Sequence, residues 1–425
     1  MSQTSPAPPP APTPRQLLLL SVPAVIIGVL SALILWALDE VSGLVEHVLW
    51  DLAPSALGVQ DGSRWWIFLV LTLTGAAVGL VIWKVPGHGG QDSATTELTA
   101  PPLPVGALPS LTLAVVLTLA GGVSLGPENP IIAINTALAI ALVARLWPKV
   151  GTELIMAIAA AATIGALFGT PVAAALLFTG VMAAAPGGGA LCDKLFLPLV
   201  AAGAGSITMK LLGAQSLAFS LPAYGSPRAI DLLTGALIAC ACVVIAMLAV
   251  LALPPVHGFF HRLRNPLVYA TLGGLVLGGL GALGGELTLF KGLEQTGELL
   301  ADVDGWGSGT LILMIGIKLA ALVVAAASGF RGGRIFPAVF IGVGLGLLAH
   351  NLLPSVPVSL AVACAVLGVG LAIARDGWVA LFLAVVITGD ITVLPVLCLV
   401  MLPAWLLVSR APAMIVDHPV VERWL

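Results

Sequence analysis

The sequence predicts an all-α polytopic membrane protein whose helices are broken inside the bilayer. Hydrophobic residues make up 59% of the 425 residues and charged residues only 9%, whereas a soluble globular domain is about 25% charged. The second observation is a pattern of glycine and proline that interrupts two long apolar stretches. Inside a bilayer such interruptions occur where they are buried in protein or line a cavity, because backbone polar groups need partners there.

Long apolar runs supply the membrane spans. A helix needs about 20 residues to cross the hydrocarbon core, so we expect about ten spans, some of them tilted, broken or re-entrant. The runs lie near residues 16–38, 66–83, 110–144, 154–184, 194–213, 229–254, 266–283, 309–327, 335–353, 357–374 and 377–409.

Two segments that lie 207 residues apart share the same pattern of glycine and proline. Gly122–Pro130 and Gly329–Pro337 both have the pattern Gly-x3-Gly-x3-Pro, and each separates two apolar runs. At nearly the same offset, Phe168–Pro171 falls opposite Arg375–Trp378. Chance repetition in a chain with 49 glycines is the alternative, but two matches favour an internal repeat. With an odd number of spans per half, the halves would be inverted and both breaks would meet at the membrane midplane.

The predicted organisation follows from this repeat. Residues 1–14 are rich in proline, alanine, serine and threonine, which indicates a disordered tail. We expect a first inverted-repeat half over 15–215, a polar linker over 216–230 and a second half over 231–410. A short C-terminal tail, 411–425, would follow, with no soluble regulatory domain.

Four breaks are placed to present backbone amides: Gly87–Gln91, Gly126–Pro130, Gly333–Pro337 and Thr388–Thr392. Helices that start inside a membrane direct unpaired N–H groups and a partial positive charge at the cavity. Such a site holds an anion without a full positive charge and can therefore release it.

The sequence lacks the patterns of the main enzyme classes. Gly-x-Ser-x-Gly, Walker and His-Glu-x-x-His motifs are absent, and the five cysteines show no metal-ligand spacing. The net charge of −3 and the absence of a basic cluster give no indication of a nucleic-acid partner. We therefore expect no enzyme activity, no metal and no cofactor.

The motifs, in this order, make the chain resemble the CLC chloride channels and chloride–proton antiporters over nearly its whole membrane length. That family's Gly-Ser-Gly-Ile-Pro, Gly-Arg/Lys-Glu-Gly-Pro and Gly-x-Phe-x-Pro signatures correspond to Gly87–Gln91, Gly126–Pro130 and Gly333–Pro337. More narrowly, the chain is similar to a divergent bacterial CLC-like subgroup of ion-transport proteins. The resemblance implies a CLC-type inverted-repeat fold and a homodimer in the bacterial inner membrane, with one anion pathway per subunit and both termini cytoplasmic. The transported anion would be chloride.

The resemblance also implies site residues. Glu128 would be a gate whose carboxylate occupies an anion site and moves aside on protonation or anion competition; the alternative is a helix-capping glutamate. Expected anion-binding residues are His88, Gly89, Gly126, Asn129, Gly333, Arg334, Ile335, Phe336, Asp390 and Ile391. In the third motif we expect the amides of Arg334 and Ile335 to face the anion.

The positions at which the chain departs from the family pattern are as informative about function as the positions that match it. His88 replaces a serine that contacts the central anion, so it either binds the anion or makes a structural hydrogen bond. Val181 replaces the antiporters' internal proton-transfer glutamate. Asp390 or Ile391 replaces an anion-binding tyrosine, and Asp390 has a cap or salt bridge as its alternative role.

For the remaining charged residues we expect ordinary roles. Arg334 would line the pathway, point to an entrance or pair with an acid. Lys318 and Arg375 would reach to the membrane interface. The histidines other than His88 lie near span ends and suggest no function: His47, His257, His261, His350 and His418.

The sequence thus predicts CLC-type anion transport, gated by Glu128 and channel-like because Val181 cannot carry a proton. The alternatives are anion–proton exchange, with chloride or fluoride, by another proton route, and a non-conducting CLC-fold scaffold or sensor.

Overall fold

The computed structural model describes residues 13–60, 62–96, 102–147, 150–184, 190–214 and 217–416. These residues form sixteen α-helices, four short helical turns and one isolated bridge between two extended residues. The predicted disordered tail lies outside the described residues up to residue 12, and the first helix already begins at Pro14. Of the predicted C-terminal tail, residues 411–416 are described, and the Val416 amide donates to the Ala94 carbonyl over 2.9 Å.

In the first part of the chain the helices are α1 (Pro14–His47), α2 (Ala53–Ala56), α3 (Arg64–Lys84), α4 (Leu108–Ala120), α5 (Glu128–Leu146), α6 (Thr152–Phe168), α7 (Pro171–Ala184) and α8 (Leu191–Leu211). In the second part they are α9 (Ala229–His261), α10 (Pro266–Gly284), α11 (Leu293–Ala301), α12 (Ser308–Ala327), α13 (Ile335–Leu352), α14 (Val358–Ala374), α15 (Gly377–Thr388) and α16 (Leu394–Val408). A π-helical turn, Val48–Leu52, joins α1 to α2, and three-residue turns precede α4, α11 and α16.

Nine helices among the described residues are long and apolar enough to cross a membrane, and five shorter apolar helices accompany them. The expected count of about ten spans is close to this number. The difference arises at the breaks. The predicted runs 110–144, 154–184 and 377–409 each divide into two helices, α4 and α5, α6 and α7, and α15 and α16.

The helix boundaries repeat at the offset found in the sequence. An interval of 207 residues carries Glu128, the first residue of α5, onto Ile335, the first residue of α13. The last residues of α4 and α12 coincide in the same way, and the starts of α6 and α14, and of α7 and α15, agree within one residue. The repeat therefore covers four consecutive helices and their connections, which short glycine motifs alone could not establish.

The described helices group into two compact units. One comprises Met1–Ala37 and Ile131–Ser216, and the other Leu38–Pro130 and Leu217–Leu425. These units differ from the predicted repeat halves, because they record packing rather than internal similarity. The division into halves at 15–215 and 231–410, with its linker, therefore stays a prediction.

Each unit has its own core of apolar helix faces. In the smaller unit α1, α5, α6 and α8 pack together around Ile27, Val143, Ile158 and Leu197. In the larger unit α3 packs along α10, while α14 lies against α9, α13 and α15. The sixteen residues Val358–Ile373 of α14 are all buried, so this helix is surrounded by protein although it is too short to be counted among the nine spans.

Small residues allow α3 and α10 to approach closely. A Cβ atom on Gly75 would collide with the Ala270 carbonyl, and one on Gly274 would collide with the Leu71 carbonyl. Lipid tails are as apolar as side chains, so close backbone packing of this kind is a main source of helix association in membranes.

We expect Gly274→Val to separate α10 from α3 and lower the thermal stability of the purified protein in detergent. Overpacking of a tight contact costs about 1–3 kcal/mol. The matched control is Gly279→Val on the same helix, because a Cβ there meets no other atom within 4 Å. Equal melting temperatures for the two variants would contradict the role of the contact.

Candidate functional site

The two repeated motifs meet through a reciprocal backbone pair. The Gly126 amide donates to the Gly333 carbonyl over 2.9 Å, and the Gly333 amide donates to the Gly126 carbonyl over 2.6 Å. The pairing is antiparallel. Because the two glycines are equivalent under the 207-residue offset, antiparallel exchange of both hydrogen bonds places a local two-fold relation between them. The predicted convergence of the two breaks is therefore present in the structure.

The Glu128 carboxylate lies at this junction and is completely buried. Its Oε1 accepts a hydrogen bond from the Phe336 amide over 2.8 Å. The amides of Ile335 and of Glu128 itself also lie beside the carboxylate. The carboxylate at the start of α5 is thus held by the free amides at the start of α13, where an N-terminal dipole favours negative charge.

Bare backbone encloses the carboxylate on two sides. A Cβ atom added to Gly126 or to Gly333 would collide with the carboxylate of Glu128. Both glycines are therefore required for close approach rather than for an unusual backbone conformation. Oε2 of Glu128 is buried and has no hydrogen-bond partner among the described residues. The side chain is therefore attached to α13 through Oε1.

The amides that hold the carboxylate lie one residue later than expected. We expected the amides of Arg334 and Ile335 to face an anion, whereas the carboxylate accepts a hydrogen bond from the Phe336 amide and has the Ile335 amide beside it. The reason is that Arg334 precedes the helix as its N-cap residue. The guanidinium of Arg334 donates to the Thr96 carbonyl over 2.8 Å, and the Asn129 side chain donates to the same carbonyl over 3.3 Å. Both side chains thus hold the segment after the first break.

In the first break, the hydrogen bonds of His88 and Gly89 are structural. The exposed His88 ring bonds the Ile82 carbonyl through Nδ1 over 2.8 Å. This is the structural hydrogen bond that was the alternative to anion contact. The Gly89 amide donates to Ser110 Oγ over 3.2 Å, and its carbonyl accepts from Arg331 Nε over 2.8 Å.

The fourth break shows Asp390 as a cap. Its carboxylate accepts hydrogen bonds from the Thr392 hydroxyl over 2.6 Å, the Thr392 amide over 2.8 Å and the Tyr224 amide over 2.7 Å. The structure thus shows the capping role that was the alternative for Asp390, and its assignment to anion binding stays a prediction. The Ile391 side chain is exposed beside it.

Comparison with known proteins identifies the family. A family model described as voltage gated chloride channel matches residues 73–409. The chain belongs to this CLC family. It is 48% identical over 411 residues to "Putative ion-transport protein YfeO" of Escherichia coli (strain K12 / DH10B), covering 96% of this chain and 97% of the relative. YfeO of Escherichia coli O17:K52:H18 is 47% identical over the same shares of the two chains.

Solved CLC structures share the fold. A slow cyanobacterial Cl−/H+ antiporter superposes with a TM-score of 0.77 at 18% identity, over 93% of this chain and 94% of its own. A CLC-type fluoride/proton antiporter superposes with a TM-score of 0.70 at 20% identity, over 95% of this chain and 98% of its own. The predicted all-α, CLC-type inverted-repeat fold is confirmed. The chain is a multi-pass membrane protein, and its family carries out anion transport rather than enzymatic catalysis.

Within this CLC fold, a buried cation supports the segment next to Glu128. Lys318 on α12 is completely buried rather than at the interface, so that prediction is wrong. Its Nζ donates to the carbonyls of Thr288, Leu289 and Phe290 over 3.1, 2.6 and 2.8 Å. Three carbonyl dipoles satisfy the three N–H donors of the ammonium group, which allows a charge to lie among apolar helices.

The turn held by Lys318 is bonded to the Glu128 motif. The Phe290 amide donates to the Gly122 carbonyl over 2.9 Å, and the Ser124 hydroxyl donates to the Thr288 carbonyl over 3.1 Å. The place predicted for Arg375 at the interface stays a prediction, and the residue lies at the end of two helices. It ends α14 in a left-handed conformation with φ 55° and donates to the Val408 carbonyl at the end of α16.

Four residues near the first and third motifs escaped the sequence prediction. Buried Arg331 lies 3.7 Å from Asp92, measured from Nη1 to Oδ1. Asp92 also faces His257 and His261, and one ligand atom from each of these three residues lies within 4.8 Å of the others. The His-x3-His spacing on α9 was the available signal, since residues four apart share a helix face.

Val181, the position of the expected proton-transfer residue, lies in α7, but its side chain is outside the described residues.

We expect Lys318→Met to lower the free energy of unfolding in an SDS titration by about 2 kcal/mol or more, because each buried carbonyl left without a partner costs about 1–3 kcal/mol. Lys210→Met is the matched control, since Lys210 lies exposed in the last turn of α8. Replacement of a buried charge by an apolar residue can also stabilise a protein. An unchanged or higher stability of Lys318→Met would therefore show that the ammonium group does not support the turn.

Proposed function

We propose that this protein conducts chloride passively through a pathway that the Glu128 carboxylate closes. The observation that carries the proposal is the hydrogen bond between Glu128 and the Phe336 amide at the start of α13. A carboxylate oxygen on helix-start amides occupies the kind of position that a bound anion takes. Departure of the side chain would leave the amides of Ile335 and Phe336 for a halide ion.

The attachment of the carboxylate suits a movable gate. Oε1 is held by backbone amides, whereas Oε2 has no partner among the described residues. A carboxylate in a tight structural pair usually has both oxygens satisfied. Protonation of Glu128, or competition from an anion, would weaken the attachment and release the side chain.

Backbone amides also favour turnover. They supply partial positive charges, and a site made of partial charges binds an anion weakly enough to let it leave. Arg334 directly precedes these amides in the chain, and its guanidinium donates to the Thr96 carbonyl. Chloride, fluoride and nitrate all fit this chemistry, and the proposal of chloride rests on membership of the CLC family.

Channel-like conduction is favoured over proton-coupled exchange by the residues at the internal proton-transfer position. Val181 and the preceding Gly180 have no titratable group. The family membership further supports a homodimer with one pathway per subunit in the bacterial inner membrane, with both termini cytoplasmic. Chemical cross-linking of the purified protein tests the dimer independently of transport.

Removal of the Glu128 charge should increase anion flux and reduce its pH dependence. A hydrogen bond to a charged group contributes about 1.5–3 kcal/mol, so Glu128→Gln should raise the open fraction about tenfold or more. Chloride efflux from liposomes, recorded between pH 4.5 and 7.5, measures both effects. Glu128→Ala should behave similarly, because it also removes the hydrogen-bonded carboxylate.

Glu153→Gln is the control for the gate, since Glu153 also lies in the first turn of an apolar helix but is exposed. It should retain wild-type flux and pH response. Wild-type behaviour of both Glu128 variants would make Glu128 a helix cap and would remove the basis of the proposed gate.

A chloride gradient should drive no uphill proton movement. Val181 cannot exchange a proton, so liposomes that contain the protein should show chloride flux while the pH of a weakly buffered medium stays constant. A shift of the reversal potential with the proton gradient alone would instead establish exchange by another route. No flux of chloride, nitrate or fluoride would favour the scaffold alternative.

A further inference from the structure

A second group of chemically distinctive side chains lies outside the contacts of Glu128. Asp92 follows the first break, and His257 and His261 occupy the last turns of α9. The distance from Asp92 Oδ2 to His257 Nε2 is 3.4 Å and to His261 Nε2 is 3.2 Å. Ligands of a tetrahedral ion with bonds of about 2.0–2.1 Å are separated by about 3.4 Å. The two distances from Asp92 Oδ2 therefore match this spacing, and all three ligand atoms lie within 4.8 Å of one another.

The tautomer of His261 makes this spacing informative. Its Nδ1 lies 3.1 Å from the His257 carbonyl, and since a carbonyl can only accept, Nδ1 carries the hydrogen. In the neutral ring Nε2 then presents a lone pair, and the Asp92 oxygen opposite it is also an acceptor. Two acceptors at hydrogen-bond distance require a cation between them or a second proton on the ring.

Asp92 is oriented for binding through one oxygen. Its Oδ1 accepts from the Ala94 amide over 3.0 Å and faces Arg331 Nη1 at 3.7 Å. Arg331 is itself held by the Gly89 carbonyl. These partners leave Oδ2 directed at the two imidazoles, as the outer partners of metal-bound carboxylates do. The positive charge of Arg331 therefore acts on the oxygen that is not a ligand.

Ring stacking fixes the imidazoles. The rings of His257 and His261 lie 3.7 Å apart at 21°, and the ring of Tyr269 lies 4.8 Å from that of His261 at 28°. The His257 side chain is 3% exposed, whereas that of His261 is 27% exposed. The stacking holds the two rings side by side with Nε2 of each toward Asp92 Oδ2, and a shared ion would require one ring to turn toward it.

We propose that Asp92, His257 and His261 bind a divalent transition-metal ion of the zinc class, with water completing its coordination. Two imidazoles and one carboxylate are ligands for Zn²⁺, Co²⁺ or Ni²⁺, whereas Mg²⁺ and Ca²⁺ prefer oxygen alone. The ion would join the segment after the first break to α9. Through Arg331 it would also stabilise the backbone of the third motif.

The test uses the full-length protein without a histidine tag, stripped with EDTA and titrated with ZnCl2 by calorimetry. We expect one Zn²⁺ per chain. Co²⁺ in its place should give visible absorption bands of tetrahedral coordination. His257→Ala, His261→Ala and Asp92→Asn should each weaken Zn²⁺ binding at least about tenfold, since even outer partners of metal ligands contribute 10- to 100-fold. Asp92→Asn changes the side-chain shape least and serves if the alanine variants fold poorly.

Two histidines provide matched controls. His47 pairs with Asp51 over 2.8 Å at an exposed position, and His350 bonds the Val356 carbonyl through Nδ1 over 2.8 Å. His47→Ala and His350→Ala should retain full Zn²⁺ affinity. The proposal would be overturned if the protein bound no stoichiometric Zn²⁺, or if Asp92→Asn bound Zn²⁺ as tightly as the wild type. It would also be overturned if His261 were charged and paired with Asp92 in the absence of metal. None of these outcomes depends on anion transport.

Discussion

The reciprocal pair between Gly126 and Gly333 is the contact on which the described site depends. It brings two helix starts together from distant parts of the chain, and it does so with backbone atoms alone. Because both positions lack a side chain, the Glu128 carboxylate fits between them and reaches the amides of α13. A break that would be costly in lipid is thereby satisfied by the equivalent break in the repeat.

Two buried ionisable side chains are held by opposite ends of backbone dipoles. Glu128 lies on amides at a helix start, and Lys318 lies on three carbonyls of a turn. These hydrogen bonds are to backbone groups, so neither side chain is placed by an ion pair in a low-dielectric interior. The turn that binds Lys318 is bonded to the segment before Glu128, so the cation supports the position of the carboxylate without neutralising it.

The sequence was most informative where the backbone decides the structure. The glycine and proline pattern predicted both helix starts and their meeting, because few residue types tolerate such breaks. It was less informative about side chains that contact distant residues. Whether the amide of Arg334 or that of Phe336 reaches the carboxylate depends on where α13 begins. The burial of Lys318 depends on carbonyls that lie 28 to 30 residues away in the chain. The Asp92–His257–His261 group joins residues about 165 positions apart, which periodicity cannot reveal.

The equivalence of Glu128 and Ile335 under the 207-residue offset would give the proposed anion pathway a built-in sidedness. Half-helices related by a two-fold axis in the membrane plane would present the same amides to both compartments, so a site of backbone alone would treat inward- and outward-moving anions alike. The carboxylate breaks this equality, because the corresponding position in the second repeat is an isoleucine. Rectification of the anion current would therefore originate in one side-chain difference between the two repeats rather than in their architecture.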